Sequence, residues 1–153
     1  TDGACSGNGQ ADAVAAYAYV GVCRDKEPIV KTGLVLPATN GRAELNAVVA
    51  FLESANRLNN DFVIHTDSQY IYDAINNHKV REWKANGWKR THKRDVVSAD
   101  LWQRYINEIV RLYKIGCTVK VEKVAGHSGN KYNEMADSAA KDAVKAAKLD
   151  HAE

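Results

Sequence analysis

The chain has 153 residues, which is enough for one domain with a buried core. It is 45% hydrophobic and 26% charged, and no apolar stretch approaches the roughly 20 residues that span a bilayer. The opening residues do not have the basic and then apolar pattern of a signal peptide. The three cysteines lack the close spacing of a zinc site. We therefore expect reduced thiols in a cytoplasmic or nuclear protein without a membrane partner.

The first half of the chain predicts strands followed by a helix. Residues 13–23 are apolar and β-prone, and residues 29–36 alternate in part. With the residues that end at Asp2, they predict a three-stranded antiparallel meander. Residues 44–58 carry apolar side chains at helical spacing, and residues 62–66 predict a short buried strand.

The second half continues with helices and one more strand. Ser68 and Ser98 are predicted N-caps of two helices. The predicted elements are helices over about 68–77, 100–113 and 133–148, and a strand over 118–124. Alternating strands and helices after an antiparallel start predict an α/β fold, with a mixed sheet and helices on both faces.

Four carboxylates stand out because each lies near a strand end or a helix start. They are Asp2 in TDGACSGNG, Glu44 in TNGRAEL, Asp67 in TDSQY and Asp137 in AGHSGNKYNEMAD. Ligands gather near such positions in α/β sheets, so the four groups can converge. Gathered carboxylates repel one another, and hard divalent cations such as Mg²⁺ take oxygen ligands. The chemistry that usually follows is metal-assisted phosphodiester cleavage.

The positive charge is concentrated in one segment. Residues 79–94 hold seven Lys/Arg and one acid, a charge of +6, whereas the remainder holds 14 Lys/Arg against 18 Asp/Glu. Trp83 and Trp88 interleave with these charges. A solvated helix face is the alternative, but a basic patch on an acidic body indicates an anionic polymer as partner.

Six motifs occur in a characteristic order, and on them the chain resembles the type 1 ribonucleases H over essentially its whole length. They are TDG, TN-x-RAEL, TDSQY, WK-x-x-GWK, DLWQR and GH…NE-x-x-D. The resemblance implies a five-stranded mixed sheet flanked by helices. It also implies an endonuclease that cuts the RNA strand of an RNA–DNA hybrid and leaves 3′-hydroxyl and 5′-phosphate ends.

The resemblance also implies roles for particular residues. The four acids would bind two Mg²⁺ ions, with Mn²⁺ as a substitute; one ion lowers the pKa of an attacking water and the other stabilises the leaving oxygen. His127 matches a mobile-loop histidine that helps proton transfer or product release. Asn133 and Glu134 would lie next to the acids and support them without binding the ions.

Selectivity for a hybrid requires residues that recognise the 2′-hydroxyl groups of the RNA strand. The resemblance assigns substrate contacts to Cys5, Asn8, Thr39, Asn40 and Gln69, and to a basic protrusion at about residues 78–95 with Trp83, Lys84, Trp88 and Lys89. The two Asn-Gly pairs could instead be only turns. The chain departs from the family pattern at Pro37, Gly41, His78 and Ser98, which puts recognition of the DNA strand in doubt.

We expect one ribonuclease H domain over residues 1–153, with a truncated first strand, acting as a monomer because no exposed apolar stripe is evident. One alternative is the ribonuclease H domain of a retroelement reverse transcriptase, which the residues upstream of Thr1 would identify. Two others are a non-catalytic hybrid-binding module and a DNA-cleaving transposase or integrase with the same core. The four intact acids argue against a non-catalytic module. The basic protrusion and the GH…NE-x-x-D ending argue against a transposase or integrase.

Overall fold

A computed structural model describes residues 1–125 and 130–152, and it contains five strands and five helices in these ranges. The strands are Asp2–Ser6 (β1), Val14–Gly21 (β2), Ile29–Val35 (β3), Asp61–Thr66 (β4) and Thr118–Lys123 (β5). The helices are Asn40–Ser54 (α1), Gln69–Asn76 (α2), Lys79–Ala85 (α3), Ala99–Lys114 (α4) and Lys131–Ala152 (α5). The fold is therefore an α+β arrangement.

The first three strands form the predicted antiparallel meander, in the order β1-β2-β3. Alternate residues of β2 point to opposite faces, as in any strand. Ala15 and Tyr17 pack with Ala43 of α1, whereas Ala18 and Val20 pack with the alanine stripe of α5. The small residues on both faces let a helix lie close to each side, so this sheet is covered by α1 and α5.

The expected single five-stranded sheet is instead divided into two. Strands β4 and β5 form a separate parallel pair. Thr1 is the residue that bridges the sheets, because its amino group and its hydroxyl both donate to the carbonyl oxygen of His65 at 3.1 Å.

The main core lies between α1, the β4–β5 pair and α4. Its largest fully buried side chains include Leu45 and Leu52 on α1 and Leu101, Trp102 and Leu112 on α4. Leu45 and Leu52 are seven residues apart, and Leu101 and Leu112 are eleven apart, separations of about two and three helical turns that place each pair on one helix face. The core therefore fixes α1 against the sheets, and with it the helix end that carries Glu44.

Several local expectations are corrected. Helix α1 begins at Asn40 rather than Glu44, because the hydroxyl of Thr39 accepts a hydrogen bond from the Arg42 amide at 3.2 Å. Asn40 and Gly41 thus belong to the first helical turn and not to a loop turn. Ser98 occupies the N-cap position of α4 in a left-handed conformation, with no side-chain capping bond. Helix α3 lies in the segment that was expected only to be basic.

Strand β1 also differs from the expectation, because Asp2 begins the strand rather than ending it. Strand β3 carries exposed Ile29, Val30 and Leu34, an apolar edge that the sequence pattern did not indicate. Among the described residues, no helix combines the length and the apolar character needed to cross a membrane.

Candidate active site

Three carboxylates from separate elements meet at one point. Asp2 is the first residue of β1, Glu44 lies near the start of α1, and Asp67 directly follows β4. One oxygen from each carboxylate lies within 4.8 Å of the others. Three negative charges at this separation repel strongly, and oxygen is the donor that hard divalent cations prefer. The donor set therefore fits a divalent metal ion.

The surroundings of Asp2 and Glu44 favour the neutral, protonated form of these two carboxyl groups. Asp2 is 6% exposed, and burial, with the nearby charges of Asp67 and Asp137, raises its pKa to about 7, although the Gly3 amide donates to it at 2.8 Å. Burial and the charge of Asp67 also raise the pKa of Glu44. Desolvation and like charges both disfavour the ionised carboxylate, and a bound cation would reverse this effect.

Ser68 orients one of the acids. Its hydroxyl lies near the Glu44 carboxylate, and this polar interaction lowers the pKa of that group. The same oxygen accepts a hydrogen bond from the Ile71 amide at 3.2 Å, as the N-cap of α2. Ser68 is buried, so its hydroxyl is kept beside Glu44 by the capping bond. The sequence predicted only the capping role, and the contact with Glu44 required the fold.

The fourth acid, Asp137 on α5, approaches the cluster from the opposite side of β1. It shares a hydrogen bond with Asp2. Lys141, one helical turn later, forms an ion pair with Asp137 at 2.9 Å, and this pairing raises the pKa of the Lys141 ammonium group. Lys141 was not singled out from the sequence, although its spacing of four residues from an acid is a recognisable signal.

Gly3 permits the close approach of β1 and α1. A β-carbon added at this position would lie 2.5 Å from both the Ala43 carbonyl carbon and the Glu44 nitrogen. Real side chains do not tolerate such distances to backbone atoms. The glycine of the TDG motif therefore brings Asp2 and Glu44 together, a role that sequence reasoning did not assign to it.

A cleft of about 430 Å³ extends from the acids between β1 and α5. It is lined by residues 3–6, Asn40, Asp137, Lys141, Val144, Lys145 and Lys148. Cys5, one of the predicted substrate contacts, lies on this wall, with its sulfur 3.7 Å from the Ala38 carbonyl oxygen. The cleft is thus acidic at one end and basic along α5.

The other predicted substrate contacts lie around the same region. Asn8 and Asn40 are brought together, because the Asn8 side-chain oxygen accepts from the Asn40 amide at 3.2 Å. Asn8 lies in a turn, as the alternative interpretation held. Thr39 is engaged as the N-cap of α1, and Gln69, the first residue of α2, donates to Asp73 at 2.9 Å.

The basic segment is built on aromatic packing. Trp83 and Trp88 are half-buried against the main core, and Trp83 stacks on Tyr70 with ring centroids 6.5 Å apart. Lys84 and Lys89 are exposed, and Lys89 forms an ion pair with Asp95. The tryptophans therefore anchor the segment, while the lysines present its charge to solvent.

The remaining predicted residues lie near the start of α5. Asn133 is buried, its amide hydrogen is capped by the Asn130 side chain at 3.0 Å, and its side-chain oxygen has no hydrogen-bond partner within residues 1–125 and 130–152. Glu134 is exposed and lines a different cavity, beside Val30. His127 lies outside the described residues.

Comparison with known proteins identifies the family. The RNase H family model matches residues 1–145. Ribonuclease H of Syntrophomonas wolfei subsp. wolfei is 38% identical over 148 residues, which cover 95% of this chain and 93% of that protein. The chain belongs to the RNase H family, whose enzymes hydrolyse phosphodiester bonds in the RNA strand of RNA–DNA hybrids.

Solved structures agree with this assignment. A type 1 RNase H with the type 2 active-site motif is 26% identical, with a TM-score of 0.67, over 95% of this chain and 70% of that one. The RNase H domain of prototype foamy virus is 20% identical, with a TM-score of 0.69, over 95% of this chain and 92% of that domain. The second likeness concerns the fold alone.

Proposed function

We propose that the chain is an endonuclease that cleaves the RNA strand of an RNA–DNA hybrid at the carboxylate cluster, leaving 3′-hydroxyl and 5′-phosphate ends. The observation that carries the proposal is the convergence of Asp2, Glu44 and Asp67 within 4.8 Å from three separate elements. Membership of the RNase H family supports it independently.

Asp2, Glu44, Asp67 and Asp137 would hold two Mg²⁺ ions, and Mn²⁺ would substitute because it also favours oxygen ligands. The raised pKa values of Asp2 and Glu44 support this, since such buried acids gain most from a cation. Bound ions supply Lewis acidity to an attacking water and to the leaving 3′-oxygen.

The protein's own residues would position the reacting groups. Ser68 holds Glu44 in one orientation, and Lys141 balances the charge of Asp137. Gly3 keeps β1 against α1, so the acids stay together. Such supporting contacts fix the orientation of carboxylate ligands, and their loss typically lowers metal affinity or activity about 10- to 100-fold.

Substrate contacts would surround the acids. Cys5, Asn8, Thr39, Asn40 and Gln69 would read the hybrid across its minor groove, where 2′-hydroxyl groups are displayed. Trp83, Lys84, Trp88 and Lys89 belong to the basic segment, and their proposed role is to grip backbone phosphates. Asn133 would support the acids and His127 would assist proton transfer or product release, whereas Glu134 lines a different cavity.

Residues 1–153 would form a single RNase H domain that acts as a monomer. The second hypothesis is the RNase H domain of a reverse transcriptase, which would carry out the same reaction. The foamy-virus domain supports this hypothesis only by its similar fold. A non-catalytic binding module is disfavoured because three carboxylates are already assembled.

The test uses one labelled 20-mer as an RNA–DNA hybrid, as duplex RNA and as duplex DNA. Each duplex is incubated with Mg²⁺, with Mn²⁺ and with EDTA. We expect internal cuts only in the RNA strand of the hybrid, lost with EDTA and reduced at least about a hundredfold by Asp67→Asn. Asp25→Asn is the matched control, because Asp25 is exposed, with a positive φ of 63° that Asn tolerates. Cleavage of duplex DNA, or activity that survives EDTA, would overturn the proposal.

A further inference from the structure

A row of lysines runs along one face of α5, next to strand β1. Lys141, Lys145 and Lys148 follow Asp137 at spacings of four, four and three residues, which place all four on one helical stripe. All three lysines are exposed, and all three line the 430 Å³ cleft that also contains Asp137. The cationic row therefore begins at the carboxylates and leads away from them.

The lysines differ in how they are held. Lys141 is engaged by Asp137 at 2.9 Å. At the far end of the cleft, the Lys148 ammonium group donates to the Ser6 hydroxyl at 2.9 Å, a neutral partner that leaves its charge intact. Within the described ranges, neither Lys145 nor Lys148 has an acidic partner. The cleft thus carries two uncompensated positive charges beyond the acids.

We propose that Lys145 and Lys148 bind backbone phosphates of the RNA strand on one side of the scissile bond, so that α5 acts as a phosphate track. This inference rests on the proposed function. Residues 141–148 span about 10 Å of helix at ~1.5 Å per residue. Because a strand winds around the duplex, its successive phosphates lie farther apart than their axial rise of ~3.4 Å, and Lys145 and Lys148 match about two of them.

The position of the cleft selects the RNA strand rather than the DNA strand. Its acidic end contains Asp137, and Gly3 lies on its wall next to Asp2. A strand whose scissile phosphate reaches these acids and that follows the cleft along β1 would meet Lys145 and then Lys148. The basic segment at residues 79–94 is a separate surface, because α3 packs against α2 and not against this cleft.

The first experiment measures hybrid binding in the Asp67→Asn background, where substrate is not consumed. Lys145→Ala/Lys148→Ala is compared with Lys26→Ala/Lys114→Ala, which removes the same charge from exposed positions elsewhere. We expect the α5 variant to bind about tenfold more weakly and to lower the slope of log K against log salt by about 2, since each phosphate contact contributes about 0.9. Lys145→Arg/Lys148→Arg should restore both values. In the cleaving enzyme, the α5 variant should raise KM and leave kcat unchanged.

The second experiment identifies the strand by placing neutral methylphosphonate linkages beside the cleavage site in the RNA or in the DNA. Neutral linkages in the RNA should weaken binding by the control variant but not further weaken binding by the α5 variant. Equal salt slopes for the two variants, or coupling to linkages in the DNA, would overturn the inference. If the unmodified chain cuts hybrids and the two variants behave alike, only this inference fails; if it cuts none, the proposed function fails.

Discussion

The carbonyl oxygen of His65 accepts two hydrogen bonds from Thr1, one from the amino group and one from the hydroxyl, both at 3.1 Å. Through this contact the start of β1 is joined to the end of β4, and Asp2 comes to lie beside Asp67. Thr1 is half-buried, and desolvation lowers the pKa of its amino group. Thr1 thus forms a direct link between the two sheets.

An extension of the chain should strengthen this link. A Val-Val dipeptide placed before Thr1 would continue β1 beside β4 and replace the buried charged amine by an amide. We expect the free energy of unfolding to rise by about 1 kcal/mol, the net worth of an added backbone hydrogen bond. Urea denaturation followed by circular dichroism measures the change.

A Gly-Ser extension of the same length is the control, because it also removes the charge but has little tendency to form a strand. Val-Val should stabilise the protein more than Gly-Ser. Equal effects would show that only the charge matters, and no effect from either extension would contradict the role of Thr1.

The TDG glycine provides a second prediction. Gly3→Ala places a β-carbon 2.5 Å from backbone atoms of Ala43 and Glu44, so β1 and α1 must separate. We expect a loss of about 1–3 kcal/mol in stability, as for other overpacked sites, and a marked loss of hybrid cleavage because Glu44 moves away from Asp2. Thermal unfolding and the cleavage assay measure the two effects.

Gly41→Ala is the matched control in the same region. Gly41 lies in the first turn of α1, and a β-carbon there meets nothing within 4 Å. Alanine should be neutral or stabilise the protein by up to about 1 kcal/mol, since it favours the helix. Similar losses for both alanine variants would refute the steric account of Gly3.

Much of the fold could be predicted from local patterns. The continuous apolar run of β2 and the helical stripe in α1 each depend on near neighbours in sequence, so the positions of these elements were expected within a few residues. The bounds of α1 could not be placed as well, because its first turn depends on the hydroxyl of Thr39 and not on hydrophobic spacing. The division into two sheets depends on how far β1 overlaps β4, which no local pattern encodes.

The acids of the site were foreseen, but the contacts that hold them were not. Each acid lies in a motif at a strand or helix end, which sequence patterns can reveal. The polar interaction of Ser68 with Glu44 and the steric role of Gly3 join residues more than 20 positions apart. Such contacts follow from packing, so they become visible only when the elements are assembled.

Arg42 holds the loop before α1 against α4. Its guanidinium group forms two bonds with Asp100, at 2.8 and 2.9 Å, and donates to the Leu36 carbonyl oxygen at 3.2 Å. Lysine cannot reproduce this fork. We expect Arg42→Lys to lower the free energy of unfolding by about 1–2 kcal/mol, measured by urea denaturation.

Arg104→Lys is the control, because Arg104 forms a similar forked ion pair that solvent screens. Arg104 bonds Glu53 in a similar way, but its side chain is 46% exposed, whereas that of Arg42 is 13% exposed. An exposed pair contributes little, so we expect a loss below about 0.5 kcal/mol. Equal losses at the two positions would contradict a special role for Arg42.

The raised pKa of Asp2 predicts how stability depends on pH in metal-free protein. Its folded value of about 7 exceeds the ordinary value of 3.8, so the folded state binds this proton more tightly than the unfolded state. The stabilising contribution is fully present below about pH 3.8 and is lost as the pH rises through 7. Between pH 5 and pH 8 in EDTA, we expect the free energy of unfolding to fall by about 2 kcal/mol, a value reduced for solvent screening.

Asp2→Asn should remove most of this slope, whereas Asp25→Asn should retain it. Mg²⁺ at ten times its dissociation constant should stabilise the unmodified protein at pH 8 by about 1.4 kcal/mol, and it should do less for Asp2→Asn. Urea denaturation at each pH, with and without Mg²⁺, measures both effects. A slope that persists in Asp2→Asn would show that another group titrates in this range, and a Mg²⁺ effect equal in both proteins would place the ion away from Asp2.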